Sequence, residues 1–109
     1  MLQNTDIVPD TVIDVLKQIS YNPKIERLIL YGSRAIGDHD PRSDVDIAVV
    51  APTMNDHEFQ VIKWMVMKGG RTLHSIDFNL YTGLPSRIRN EVDRYGVVLY
   101  ERSKVAEQS

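Results

Sequence analysis

Residues 31–50 read YGSRAIGDHDPRSDVDIAVV and place four aspartates directly ahead of a short apolar run. The run Ile47–Val50 has the branched, apolar composition that is typical of a buried strand. Asp44 and Asp46 lie two residues apart where this strand begins, so their side chains point to the same face. Carboxylates held close together repel one another and resist burial, so their grouping needs a chemical explanation.

The composition predicts one small domain. The chain has 109 residues, 42% of them hydrophobic, which suffices for one modest core but not for two. The formal net charge of -2 comes without an uninterrupted basic run, which argues against direct nucleic-acid binding. The absence of cysteine excludes disulfides and thiolate metal sites and fits a reducing compartment. Neither an apolar segment of membrane-spanning length nor a secretory signal pattern occurs, so we expect a cytoplasmic protein without a membrane partner.

The predicted elements follow the order helix, strand, loop, strand, helix, strand, helix, strand. This order favours an α/β domain with a mixed sheet and helices packed on one face. The predicted strands read RLILYG, DVDIAVV, SIDFNLY and VVLYE. The helices are expected to begin after an N-cap at Asp10, after one at Asn55 or Asp56, and near Leu84. We expect the domain to span residues 1–102, followed by a disordered tail at 103–109.

Each predicted helix has an apolar stripe at helical spacing, and each stripe should face the core. The stripes are Val12, Val15, Leu16 and Ile19 in the first helix, Phe59, Ile62 and Val66 in the second, and Ile88, Val92 and Tyr95 in the third.

Three carboxylates converge if the polar faces of the second and third strands lie on the same side of the sheet. Strict alternation in SIDFNLY puts Asp77 on the polar face of the third strand. Asp44, Asp46 and Asp77 would then meet on a face that no helix covers. Protonation, basic partners or a hard cation can relieve their repulsion. Magnesium fits the last of these, because it takes oxygen ligands, and two such ions can stabilise an in-line displacement at phosphorus.

Possible phosphate-binding groups follow the first strand. At Gly32–Ser33, glycine admits close backbone approach, and the serine hydroxyl and nearby N–H groups can bind phosphate oxygens. Arg34 and Arg42 can add charge-assisted contacts, or they can form only salt bridges with the neighbouring aspartates. A glycine-serine turn and an Asp-x-Asp pair are each weak signals when they occur alone. Both together at this spacing are a more specific signal.

Two other known motifs do not fit this segment. Gly32 and Gly37 have the glycine spacing of a P-loop, but Asp38 and His39 stand where Lys and Ser or Thr are required. The segment from Asp44 begins like a calcium-binding loop but lacks the third oxygen ligand and the required glycine.

Taken together, these residues resemble the minimal nucleotidyltransferases of the DNA polymerase β superfamily. The resemblance extends over about residues 28–101 and rests on Gly32–Ser33, ten further residues, Asp44-x-Asp46 and a strand aspartate at Asp77. It implies the polymerase β-like fold and a nucleoside triphosphate bound at Gly32–Ser33. It also implies that Asp44 and Asp46 hold two magnesium ions and that Asp77 completes the catalytic metal site.

The resemblance also implies a partner. Many small members resemble antitoxins encoded beside all-helical HEPN ribonuclease toxins, which they neutralise by transferring AMP to a toxin tyrosine. Larger relatives have an extra acceptor-binding domain, for which we expect that 109 residues leave no room. We therefore expect a protein adenylyltransferase that uses Mg²⁺ and ATP and acts on a HEPN-type toxin. Two alternatives remain open: an antitoxin that acts by stoichiometric binding, and a small-molecule nucleotidyltransferase working with a separate helical subunit.

Overall fold

The computed structural model describes residues 2–33, 35–37, 44–69 and 76–102, without the side chains of 67–69. The expected tail at 103–109 lies outside these ranges. Within them, the helices are α1 (Asp10–Ser20), α2 (Asp56–Gly69) and α3 (Ser86–Tyr95), and the strands are β1 (Arg27–Tyr31), β2 (Val45–Val50), β3 (Ile76–Leu80) and β4 (Val97–Glu101). Short 3₁₀ turns occupy Thr5–Ile7 and Tyr81–Gly83. The predicted order of helices and strands is confirmed.

The four strands form one mixed sheet in the order β3-β2-β1-β4. β1 is antiparallel to both of its neighbours, whereas β2 and β3 are parallel. A parallel pair needs a crossover connection, and α2 lies in the segment that joins β2 to β3. The predicted α/β class with a mixed sheet is confirmed.

The main core lies between one face of the sheet and the helices α1 and α2. All four stripe residues predicted for α1 are buried, as are Phe59 and Val66 of α2, while Ile62 is half-buried against them. The strand residues that meet these helices include Leu28, Leu30, Val45, Ile47, Val49, Phe78, Leu80 and Leu99.

Helix α3 packs on the opposite face, so the expectation that all helices share one face is wrong. Ile29, Tyr31 and Ala48 form a second, smaller cluster with Val92 of α3. The physical reason lies in β1, whose side chains are apolar or aromatic on both faces and therefore need cover on both. The same face of β2 was expected to have no helix over it, but α3 reaches it at Ala48. Tyr95, predicted for the buried stripe, lies in the last turn of α3 and is 54% exposed.

Helix α2 begins with a capping box, which makes Asn55, one of the two predicted residues, its N-cap. The Glu58 backbone N–H donates to Asn55 Oδ1 at 2.8 Å, and the Asn55 N–H donates to Glu58 Oε1 at 3.1 Å. Asp10, however, is the first residue of α1 and not its N-cap, because Pro9 occupies that position. Proline in extended conformation directs the chain into the helix without a side-chain cap.

Length and hydropathy decide whether a helix can cross a bilayer. None of the helices in the described ranges has the length and hydropathy that a bilayer-spanning helix requires.

Candidate functional site

Asp46 and Asp77 lie side by side on neighbouring strands. The parallel register of β2 and β3 makes them direct partners, so their backbones are about one strand spacing, or ~4.8 Å, apart. Their neighbours Ile47 and Phe78 are buried in the main core, which directs both aspartates to the α3 face. Asp46 is half-buried and Asp77 is exposed. The structure thus brings together two of the three carboxylates predicted to converge.

The third predicted carboxylate, Asp44, lies just before β2 and is exposed. Its charge still acts on the site. Burial raises the pKa of the Asp46 carboxyl above its usual value, and the charges of Asp77, Asp44 and Glu91 raise it further. In the part of the chain that the structure describes, no basic side chain forms an ion pair with Asp46. Within that part, its repulsion from the other carboxylates is therefore not neutralised.

Gly32 begins a tight turn that lies against Asp46. Its φ of +77° is in the left-handed region that favours glycine, and its carbonyl accepts a hydrogen bond from the Ala35 N–H at 3.1 Å. A Cβ atom added here would lie 2.5 Å from Asp46 Oδ2, which real Cβ contacts do not allow. The backbone conformation thus favours glycine, and a Cβ would in addition push the Asp46 carboxylate out of its place. The adjoining Ser33 is half-buried, and the turn predicted to bind phosphate lies directly against the Asp46 carboxylate.

The two predicted arginines, Arg34 and Arg42, lie outside the described residues. Their contacts with phosphate or aspartate therefore remain predictions.

Tyr31 and Asn79 also belong to this face, although the sequence analysis assigned them no role. The Asn79 side-chain amide donates to the Tyr31 hydroxyl at 3.5 Å. Burial raises the pKa of Tyr31, the Asn79 hydrogen bond partly offsets this, and the charges of Asp46, Asp77 and Glu91 add to the rise. Strand alternation supplied a signal for Asn79, since it shares a face with Asp77 two residues earlier.

Glu91 is an acidic residue near Asp46 that the sequence analysis also left without a role. It is half-buried on α3 next to the buried Val92, and its charge acts on both Asp46 and Tyr31. Its position three residues after Ile88 puts it on the sheet-facing side of the helix. That spacing was visible in the sequence, but it has meaning only once α3 is known to pack on the face that bears Asp46.

The carboxylate groups of Asp46 and Asp77 are suitable ligands for magnesium. Carboxylate oxygens are its preferred protein ligands, and it commonly takes only one or two of them, with water and substrate phosphates completing the shell. A divalent cation would also relieve the repulsion that raises the pKa of Asp46. Among the residues that the structure describes, no three His, Asp or Glu side chains gather closely enough to form a metal site by themselves. Asp46 and Asp77 can therefore supply two ligands, and the remaining ligands would have to come from elsewhere.

A model of the polymerase beta nucleotidyltransferase family matches residues 12–105 of the chain. The chain belongs to this family. The matched segment contains all four strands of the sheet together with Gly32, Asp46 and Asp77. The predicted family, fold class and enzyme class are confirmed.

A relative with a more specific name is a candidate protein adenylyltransferase from Methanocaldococcus jannaschii. It is 31% identical over 64 residues, which amount to 59% of this chain and 63% of the relative. The alignment thus spans less than two thirds of that protein, so the likeness alone does not assign this nucleotidyltransferase a substrate or a partner.

Solved structures share the fold at low sequence identity. A toxin–antitoxin structure with AMP-PNP matches with a TM-score of 0.60 at 21% identity, covering 91% of this chain and 77% of that one. The toxin–antitoxin MntA–HepT matches with a TM-score of 0.57 at 19% identity, over 97% and 79% of the two chains. A candidate nucleotidyltransferase from Sulfolobus solfataricus matches with a TM-score of 0.59 at 23% identity, over 85% and 79%.

Proposed function

We propose that this nucleotidyltransferase uses Mg²⁺ to transfer AMP from ATP to a tyrosine hydroxyl of a HEPN-type toxin and thereby acts as an antitoxin. The observation that carries the proposal is the pairing of Asp46 with Asp77 directly beside the Gly32–Ser33 turn. Two comparisons support it: the archaeal relative is named as a candidate protein adenylyltransferase, and a toxin–antitoxin structure of the same fold contains an ATP analogue.

The proposed reaction is a displacement at the α-phosphorus of ATP. The acceptor oxygen forms a bond to this phosphorus, the bond to the β-phosphate oxygen breaks, and pyrophosphate leaves while the acceptor loses its proton. Bound magnesium would stabilise the negative charge that develops on the phosphate oxygens.

The residues of the chain divide this work by position. The Ser33 hydroxyl and the N–H groups of the turn at Gly32 can bind the departing phosphates. Asp46, with Asp44 just before β2, lies closest to that turn and would hold the nucleotide-bound magnesium. Asp77 is one strand further away and more exposed, so it would orient the catalytic magnesium beside the acceptor hydroxyl and assist in removing the proton of that hydroxyl.

The decisive experiment is mass spectrometry of the protein encoded beside this chain, which the proposal expects to be the toxin. The purified toxin would be incubated with ATP, Mg²⁺ and either the parent chain or the Asp46→Asn variant. We expect the parent to add the mass of one AMP to a toxin tyrosine and the variant to leave the toxin unmodified.

Two other results would point to the alternatives. Neutralisation of the toxin by both proteins without added mass would show an antitoxin that acts by stoichiometric binding. Pyrophosphate release that requires the toxin but labels only a small molecule would show a nucleotidyltransferase working with a helical subunit.

A further inference from the structure

We propose that Tyr31 and Asn79 are positioning residues that hold the Gly32 turn, Asp46 and Asp77 in their working arrangement. The inference rests on the proposed function, since it names residues that support the same site. It starts from the sheet register, which places Tyr31, Asp46 and Asp77 in one row across β1, β2 and β3.

The hydrogen bond between Tyr31 and Asn79 passes over the central strand of this row. β1 and β3 are not neighbours, and two strand spacings, about 9.5 Å, separate them. Asn79 lies in the next row, where its partner on β2 is Ala48. Because Ala48 has only a methyl side chain and is fully buried, the Tyr31 side chain can reach across β2 to Asn79.

This bridge connects the three parts of the candidate site. Tyr31 is the last residue of β1 and is followed directly by Gly32, whose turn lies against the Asp46 carboxylate. Asn79 lies two residues after Asp77 on the same face of β3. This side-chain link, a long hydrogen bond of 3.5 Å, adds to the sheet hydrogen bonds that hold the turn and Asp77 relative to one another, with Asp46 between them.

In the proposed reaction, metal binding and AMP transfer both depend on the distances between the Gly32 turn, Asp46 and Asp77. Groups hydrogen-bonded directly to a metal ligand commonly contribute 10- to 100-fold to affinity or activity. The Tyr31–Asn79 bond acts one step further out, so its loss should cost near the low end of that range. A displacement of about 1 Å in a reacting group can lower the rate about 100-fold. Loss of the bridge should thus weaken the site even though no metal ligand is removed.

The same face offers a matched control. The Tyr81 hydroxyl donates to the Asp93 carboxylate, with distances of 2.7 and 2.9 Å to its two oxygens, and this interaction joins the turn after β3 to α3. Tyr81→Phe removes a tyrosine hydroxyl with stronger hydrogen bonds than those of Tyr31, but away from the row that contains Asp46. It therefore reports what a purely structural loss on this face does.

The test measures Mn²⁺ affinity, as a probe of the carboxylate site, and AMP transfer to the toxin for the parent, Tyr31→Phe, Asn79→Leu, the double variant and Tyr81→Phe. We expect Tyr31→Phe and Asn79→Leu each to weaken Mn²⁺ binding about 10-fold and to lower kcat by a similar factor, with a smaller change in KM for ATP. The double variant should lose no more than either single variant, because both remove the same bridge. Tyr81→Phe should lower Tm while Mn²⁺ affinity and kcat stay within about twofold of the parent.

Several results would separate this inference from the proposed function. The expected Mn²⁺ pattern without AMP transfer by any protein, the parent included, would overturn the proposed function and leave the positioning role standing. Parent-like Mn²⁺ affinity in Tyr31→Phe and Asn79→Leu would overturn the positioning role, and so would additive losses in the double variant. Equal losses in Tyr81→Phe would show a general structural effect and overturn it as well, as would a parent chain that binds no Mn²⁺.

Discussion

The two faces of the sheet differ in what they contain. One face packs against the main core, and the other bears the carboxylates of the candidate site. The face toward α1 and α2 contains every large side chain that is less than 2% exposed in the described residues, including Leu16, Leu30 and Ile47. The α3 face has a smaller apolar cluster and also bears Asp46 and Asp77. Alternation along β2 places a core residue and a site residue next to one another in sequence. The comparison teaches that the carboxylates can be altered while the main core stays intact.

The largest expected effect comes from removing one carboxylate of the α3 face, a change that leaves the main core untouched. We predict that Asp77→Asn lowers AMP transfer by roughly 100- to 10,000-fold, because a positioned base or metal ligand is lost. Binding of magnesium-ATP should persist, since Asp46 and the Gly32 turn remain. Single-turnover transfer and calorimetry measure the two quantities. Asp14→Asn, an exposed change on α1, is the matched control and should behave like the parent.

Two results would contradict this assignment. Transfer by Asp77→Asn at nearly the parent rate would remove Asp77 from the site. Loss of ATP binding together with transfer would show that Asp77 also supports the nucleotide.

The next prediction compares how much the apolar packing on each face contributes to stability. It uses two neighbouring residues of β1 that point to opposite faces. Leu30 is fully buried in the main core, so Leu30→Ala should lower the free energy of unfolding by about 2 to 5 kcal/mol. Ile29 is 8% exposed in the smaller cluster, so Ile29→Ala should cost less, near the low end of that range. Urea unfolding of both variants checks the order. Equal losses would mean that the faces contribute equally to stability.

A pair of glycine variants separates backbone strain from displacement of the site. Gly32 and Gly37 have nearly the same φ, +77° and +79°, but of the two only Gly32 has atoms of the described residues within 4 Å of an added Cβ. Alanine at either position should lower the free energy of unfolding by about 1 to 2 kcal/mol through the left-handed backbone. Gly32→Ala should in addition lower transfer at least 10-fold, because its Cβ must displace the Asp46 carboxylate.

Denaturation and transfer assays on both glycine variants test this difference. If Gly37→Ala reduced transfer as strongly as Gly32→Ala, the close approach to Asp46 would not be the cause.

The smallest effect concerns the charge of Asp46. Its pKa is raised in the folded protein, so the ionised carboxylate disfavours the native state, and this cost grows as pH rises from the usual value of 3.8 through the native pKa. Asp46→Asn removes the charge and should raise Tm at neutral pH in the absence of metal. The difference from the parent should shrink as pH falls toward 3.8.

Thermal melts over this pH interval, with and without magnesium-ATP, provide the measurement. Magnesium-ATP should stabilise the parent more than the variant. A variant that is less stable than the metal-free parent at neutral pH would show that Asp46 is structural.

The sequence by itself determined the elements and which residues share a face on each of them. Periods of 3.6 and 2 residues are local properties, so the buried stripe of α1 and the separation of Asp77 from Phe78 could be predicted from spacing alone. The sequence predicted that glycine at position 32 allows a close approach to the backbone, but it did not predict that the Asp46 carboxylate is the neighbouring group.

Only the tertiary structure decided which faces meet and what covers them. The pairing of Asp46 with Asp77 depends on the parallel register of β2 and β3, which is set by hydrogen bonds between residues about thirty positions apart. The placement of α3 over this face was mispredicted because both faces of β1 need cover and local periodicity does not say which helix covers which. The bridge from Tyr31 to Asn79 likewise joins strands that are not neighbours, and only the packed sheet brings these side chains together.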